Sequence, residues 1–175
     1  MTAAVTDAVI AASAPSTLWS RPARARLLAL LVPLGLLGGA LGSQYLGGLN
    51  PCEMCYWQRW PHAAAILFAA LAFSAPAGSS RARTLTALAA AAIAVSGAIG
   101  VYHAGVELKI FEGITTCTKA GGGTLADILD TPLTRCDQVQ FAFLGISMAG
   151  WNAIVSLGFG FVILWLSIRR PRVAT

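Results

Sequence analysis

Charge is what this chain of 175 residues has least of: 11% of it is Asp, Glu, Lys or Arg and 57% is hydrophobic, where soluble domains carry about 25% charged residues. That shortage excludes an ordinary soluble domain and makes the bilayer its solvent. Between Arg26 and Glu53 there are 26 residues without a charge, between Arg59 and Arg81 21, between Arg83 and Glu107 23, and between Asp137 and Arg169 31. Each gap holds the roughly 20 apolar residues a spanning helix needs. We therefore expect four transmembrane helices, near Leu27 to Leu46, Trp60 to Ala77, Thr84 to His103 and Ser147 to Ile168.

The two signs of charge are unevenly placed, with eight of the twelve Lys and Arg residues in three clusters. Arg21, Arg24 and Arg26 precede the first span, Arg81 and Arg83 separate the second from the third, and Arg169, Arg170 and Arg172 follow the fourth. Six of the seven acids, Glu53, Glu107, Glu112, Asp127, Asp130 and Asp137, lie in the other two loops. The positive-inside rule assigns both termini and the Arg81 loop to the cytoplasm. The net charge of +5 is thus a topology signal, and no nucleic-acid partner is expected. All four cysteines, Cys52, Cys55, Cys117 and Cys136, fall on the outer side, where disulfides form and persist.

Residues 1–20, rich in Ala, Ser and Thr, read as a disordered cytoplasmic tail. Residues 21–168 form the membrane domain, and residues 169–175 a basic cytoplasmic tail. The first apolar run is longer than the 7 to 15 residues of a signal-peptide core and is expected to stay as an anchor. The third span is dominated by Ala, Gly and Ser, which let membrane helices approach closely. In the longest outer loop, Thr124 and Asp127 are spaced as in a capping box, with Leu125, Ile128 and Leu129 at helical spacing, so a short amphipathic helix is expected there.

The sequence "NPCEMCYWQRWP", residues 50–61, puts a C-x-x-C pair beside an arginine and aromatic rings. A second close C-x-x-C or H-x3-5-H, which structural zinc sites usually add, is missing, since Cys117 and Cys136 stand 19 positions apart; no metal is expected. Structural disulfides are the stronger rival, although a membrane bundle is held by its helices. A redox pair explains more. Such thiols are activated near a helix N-terminus or a cation, and Arg59 shares a helical face with Cys55 if the helix already includes Cys55. Pro61 leaves two readings: a helix starting near Arg59, or an earlier start with a kink. Tyr56, Trp57 and Trp60 suit a membrane interface, and a cation with aromatic rings beside thiols also suits a flat apolar redox cofactor, of which a membrane quinone is the natural candidate.

From about Arg24 to Trp165 the chain resembles the bacterial DsbB family of quinone-linked thiol oxidoreductases. The likeness is carried by four spans, "PCEMCYWQR" at the outer edge of the second, the separated pair Cys117 and Cys136, and "CDQVQFAFLGISMAGW" leading into the fourth. It implies an all-α integral membrane four-helix bundle in the bacterial inner membrane, with two periplasmic loops carrying redox cysteine pairs. It implies that a reduced periplasmic thioredoxin-like carrier (DsbA-like) attacks a Cys117 to Cys136 disulfide at Cys117. Electrons would then pass to Cys52 and Cys55, and on to ubiquinone or menaquinone. Cys55 and Arg59 would face the quinone, and His103 resembles the family's histidine near the outer end of the third span. Gln58 stands where the family commonly has an acid. His62 has no family role and reads as a satisfied interfacial histidine. Two rivals follow from other features: a scaffold or transporter subunit with two structural disulfides, and a vitamin K epoxide reductase-like protein, which the order of the cysteines disfavours.

Overall fold

The computed structural model describes residues 20–115 and 134–168. Among them are four helices, α1 (Arg21–Tyr45), α2 (Glu53–Ala72), α3 (Ser80–Glu107) and α4 (Met148–Ile168), and one small hairpin, β1 (Ala142–Phe143) with β2 (Ile146–Ser147). Three helices, α1, α3 and α4, are long and apolar enough to cross a membrane. The second falls short in hydropathy because its first half carries Glu53, Gln58, Arg59 and His62. It is nevertheless an integral part of an all-α membrane bundle, with Ala65 and Ala69 in its core.

That core is built from small side chains of all four helices: Ala29 of α1, Ala65 and Ala69 of α2, Ala89, Ala90 and Ile93 of α3, and Ile163 of α4. Lipid tails are as apolar as leucine, so close van der Waals packing of small residues, not burial from water, holds such helices together. Gly100 lets the α4 backbone come close to α3. A Cβ there would stand 3.0 Å from the Ala149 carbonyl oxygen and 3.1 Å from the Ala153 nitrogen.

Arginines fasten one end of the bundle. Arg26, in the first turns of α1, donates to the carbonyls of Ala72 and Ala75 at the end of α2, at 3.1 and 2.8 Å. Arg83 of α3 donates to Ser167 and Ile168 at the end of α4. Cations suit helix C-termini, where carbonyls lack intrahelical partners. These contacts also fix an up-down-up-down order, so the start of α2 and the end of α3 share the opposite end with the cysteines.

Pro61 does not start α2. The helix begins at Glu53, two turns before the expected Trp60, and runs through the proline, with Cys52 as its N-cap. The hairpin before α4 was not foreseen. Leu144 and Gly145 both have positive φ, 53° and 77°, as a two-residue type I′ turn demands, and Phe143 pairs with Ile146. Ser147 then accepts from the Gly150 amide at 3.1 Å and opens α4.

Candidate active site

The N-terminus of α2 gathers three sulfurs. Cys52 has extended backbone and its Sγ accepts from the Cys55 amide at 3.4 Å. The Cys55 sulfur lies 3.1 Å from that of Cys52. Cys136 arrives from the far loop, fully buried beside Cys52, Met54 and Val106. Thr115 Oγ1 donates to its sulfur at 3.5 Å, and Cys52 and the backbone amides of Met54 and Glu53 favour its charged form. The first amides of a helix are unpaired donors at the positive end of its dipole, a setting that lowers thiol pKa values. The Cys52 hydrogen bond, with those amides and against burial, brings the Cys136 thiol down to about 6. The same bond to Cys136, then that to Cys55 and burial, raises Cys52 above its ordinary value. The two shifts run in opposite directions, so Cys136 is the sulfur favoured as thiolate and Cys52 the one favoured as thiol.

The loop bearing Cys136 is fastened by Asp137. Arg135 donates to both carboxylate oxygens at 2.9 and 2.8 Å, and Lys109, just beyond α3, donates at 2.5 Å. The Arg135 and Lys109 charges hold the Asp137 carboxyl well below the usual carboxylate range.

One turn past Cys55, the Arg59 guanidinium reaches α1, donating to Gln44 Oε1 at 2.5 Å and to the Ala40 carbonyl at 3.1 Å. It also lies 5.2 Å from the centre of the Tyr56 ring. Its Nε is buried without a partner. Beside it opens a cavity of about 610 Å³, lined by Gly39, Cys55, Arg59, His103, Met148 and Trp151 among others.

A buried polar chain links the sulfurs to α4. His103, 3% exposed, has its Nε2 3.6 Å from the Cys52 sulfur and 3.8 Å from Glu107 Oε1, and Glu107 is held by Ser147. The other ring nitrogen, Nδ1, is 2.8 Å from Gln58 Nε2, and Gln58 Oε1 accepts from Asn152 at 2.7 Å. Ser96 and His62 complete the cluster, with His62 Nε2 2.9 Å from both Asn152 Oδ1 and Ser96 Oγ. His62 is thus buried between helices rather than interfacial, and its Nδ1 has no partner.

Of the residues singled out in the sequence, Cys52, Cys55, Cys136, Arg59 and His103 come together here. Cys117 lies outside the described residues, as do Thr124 to Leu129 of the expected amphipathic helix. Among the described residues, Cys52, Cys55 and Cys136 are free thiols. Cys52, Cys55 and His103 offer ligand atoms within 4.8 Å of one another, a spacing that also fits a metal ion. The sequence reading missed Asn152, Ser96 and Glu107; a carboxamide in the long apolar run of α4 was the available signal, since intramembrane polar side chains seek partners on other helices.

Comparison with known proteins places the whole membrane domain in one family. The family model for disulfide bond formation protein DsbB matches residues 22–166. The chain is 35% identical to disulfide bond formation protein B of Methylococcus capsulatus over 142 residues, covering 77% of this chain and 87% of the relative. It is 31% identical to that of Aromatoleum aromaticum, covering 84% and 94%, and 29% identical to that of Hahella chejuensis, covering 83% and 93%. No solved structure matches the chain.

Proposed function

Because the chain belongs to the DsbB family, and so is a multi-pass membrane disulfide oxidoreductase, we propose that it reoxidises a periplasmic DsbA-like dithiol carrier and discharges the electrons to a membrane quinone. The inner membrane is its site, with both termini cytoplasmic and the cysteine loops periplasmic. The observation that carries the reading is Cys136 lodged against Cys52 at the start of α2, with Cys55 3.1 Å beyond.

In this scheme the carrier's thiolate attacks Cys117 of a Cys117 to Cys136 disulfide, which breaks and leaves its electron pair on Cys136. Cys136, held as thiolate by the α2 amides, then attacks Cys52 of a Cys52 to Cys55 disulfide and displaces Cys55. Arg59, on the same helical face as Cys55, stabilises negative charge at this end of the cavity. The carrier's second thiolate closes the carrier's own disulfide and releases Cys117, whose thiolate attacks Cys136, re-forms the Cys117 to Cys136 disulfide and frees Cys52, so the dithiol form of the pair holds both electrons.

The cavity suits a quinone. Its volume of about 610 Å³ and its largely apolar wall fit a flat ring with an apolar tail, and the orphaned buried Nε of Arg59 offers a donor to a carbonyl oxygen. Arg59, Cys55 and His103 would hold it; ubiquinone and menaquinone both fit this description. When bound, a quinone supplies the two-electron oxidant that restores the Cys52 to Cys55 disulfide.

The test is quinone absorbance in stopped flow, with purified protein, reduced DsbA-like carrier and either quinone. Stoichiometric, carrier-dependent reduction that vanishes in Cys55→Ser and weakens in Arg59→Ala is expected. No reduction of either quinone by folded protein would favour the scaffold with structural disulfides.

A further inference from the structure

Two backbone carbonyls give the buried polar chain a direction. A carbonyl oxygen has no hydrogen, so an amide end that faces one is the NH2 end. Asn152 Nδ2 is 3.1 Å from the Ser96 carbonyl, which orients Asn152. Gln58 Nε2 is 3.2 Å from the Met54 carbonyl, which orients Gln58. The two assignments agree, because Asn152 Nδ2 then donates to Gln58 Oε1 at 2.7 Å. Gln58 Nε2 is therefore also the donor at 2.8 Å to His103 Nδ1, and that nitrogen must carry a lone pair. The ring proton sits on Nε2.

Around Nε2 stand the Cys52 sulfur at 3.6 Å and Glu107 Oε1 at 3.8 Å, both able to accept. We propose that Asn152 and Gln58 are positioning residues that fix His103 as the Nε2–H tautomer, so that its ring N–H is aimed at Cys52. Every link donates toward the sulfurs. When another thiolate attacks Cys136 of a Cys52 to Cys136 disulfide, a new bond forms to Cys136, the old one breaks, and the electron pair stays on Cys52. His103 then donates to that thiolate as it leaves. A carboxylate at position 58 would do the reverse, accepting from Nδ1–H and turning a lone pair toward Cys52. Gln58 and Asn152 of α4, 94 positions apart, thus act on the reaction through His103. The role assigned to Cys52 rests on the function proposed above.

The chain has two histidines, so ring-15N labelling of full-length, tag-free protein in lipid nanodiscs gives two ring systems to assign, with His62→Gln as the assignment control. His103 of the wild type is expected as the Nε2–H tautomer, and Nδ1–H would overturn the proposal without any substitution. In Gln58→Glu the tautomer should switch to Nδ1–H. A folded Gln58→Glu protein that keeps Nε2–H also overturns the proposal. The two readings separate cleanly: an Nε2–H wild type without carrier-dependent turnover counts against the oxidase scheme, and an Nδ1–H wild type with full turnover counts against the relay alone.

Discussion

Cys136 is buried against Cys52 and Met54 at the N-terminus of α2, where Cys52 and the first amides of the helix favour the Cys136 thiolate while Cys136 favours the Cys52 thiol. Two cysteines 84 positions apart are thus set as an acid and a nucleophile on a single helix end. The pairing is a matter of thiol chemistry and is open to direct titration.

In the reduced protein Cys136 should react as a thiolate from about pH 6 upward, because its pKa is brought from 9.0 to about 6. Iodoacetamide labelling followed residue by residue should show a midpoint there, and a midpoint near the ordinary value would sink the idea that the start of α2 activates Cys136. The same shift sets a stability trend. The folded value is depressed, so between pH 6 and 9 the unfolded chain binds more protons at this site. The reduced protein should therefore gain stability as pH rises across that window and lose it as pH falls through the folded value. Cys52, whose value is raised, stays protonated in the folded protein and opposes the trend only toward pH 9, where the unfolded thiol ionises.

Asp137 should matter more for exchange than for stability. Lys109 and Arg135 are 63% and 42% exposed, and solvent-exposed ion pairs add little to stability, so Asp137→Asn should barely move the melting temperature. It should nevertheless release the loop that presents Cys136, and lower the yield of a Cys52 to Cys136 crosslink under mild oxidation several-fold. Because the carboxyl is held below its usual range by Arg135 and then Lys109, the clamp is complete at neutral pH and weakens only as acid protonates it. A crosslinking yield unchanged by Asp137→Asn, or by high salt, would show that the buried contacts alone seat Cys136.

The charge-free stretches made the helices legible, and the placement of arginines and acids made their order legible, because membrane insertion imposes both rules on the sequence. The start of α2 was hidden by Pro61: a proline is tolerated inside a helix when neighbours satisfy the freed groups, and no local signal reports those neighbours. Cys52, Cys55 and Arg59 could be read together because one helix carries them. Asn152, Ser96 and Gln58 could not, since their partnership exists only after α2, α3 and α4 pack. The hairpin was missed for a similar reason, as Leu144 adopts positive φ where its residue type gives no hint.

Gly100 should be intolerant of any larger side chain. Its missing Cβ lets α3 lie against Ala149 and Ala153, the turn of α4 that also carries Asn152. Gly100→Val should cost about 1–3 kcal/mol, as overpacking does, and should shift Asn152 away from Gln58. Gly38, where a Cβ would meet nothing within 4 Å, is the control: Gly38→Ala should leave thermal stability unchanged or slightly raised. Equal losses at both positions would mean that helix propensity, not the close approach of α3 and α4, sets the cost.

Gln44 of α1 should be needed for quinone reduction even though it adjoins neither cysteine in sequence. It accepts from Arg59 Nη1, while the Ala40 carbonyl accepts from Nη2, so two points on α1 hold the guanidinium plane while Nε stays unpaired. Gln44→Leu would leave one donor unsatisfied and let the plane turn. We expect the KM for quinone to rise about tenfold, the scale of one hydrogen bond to a charged group, with exchange between the carrier and the cysteines unchanged. Arg59→Lys should fall further, because an ammonium cannot reproduce a planar fork with separate donors for α1 and for a ligand. Steady-state kinetics with varied quinone, set beside single-turnover carrier oxidation under anaerobic conditions without quinone, separates the two steps. If Gln44→Leu slows the quinone-free exchange as well, Arg59 is serving the thiols rather than the cavity.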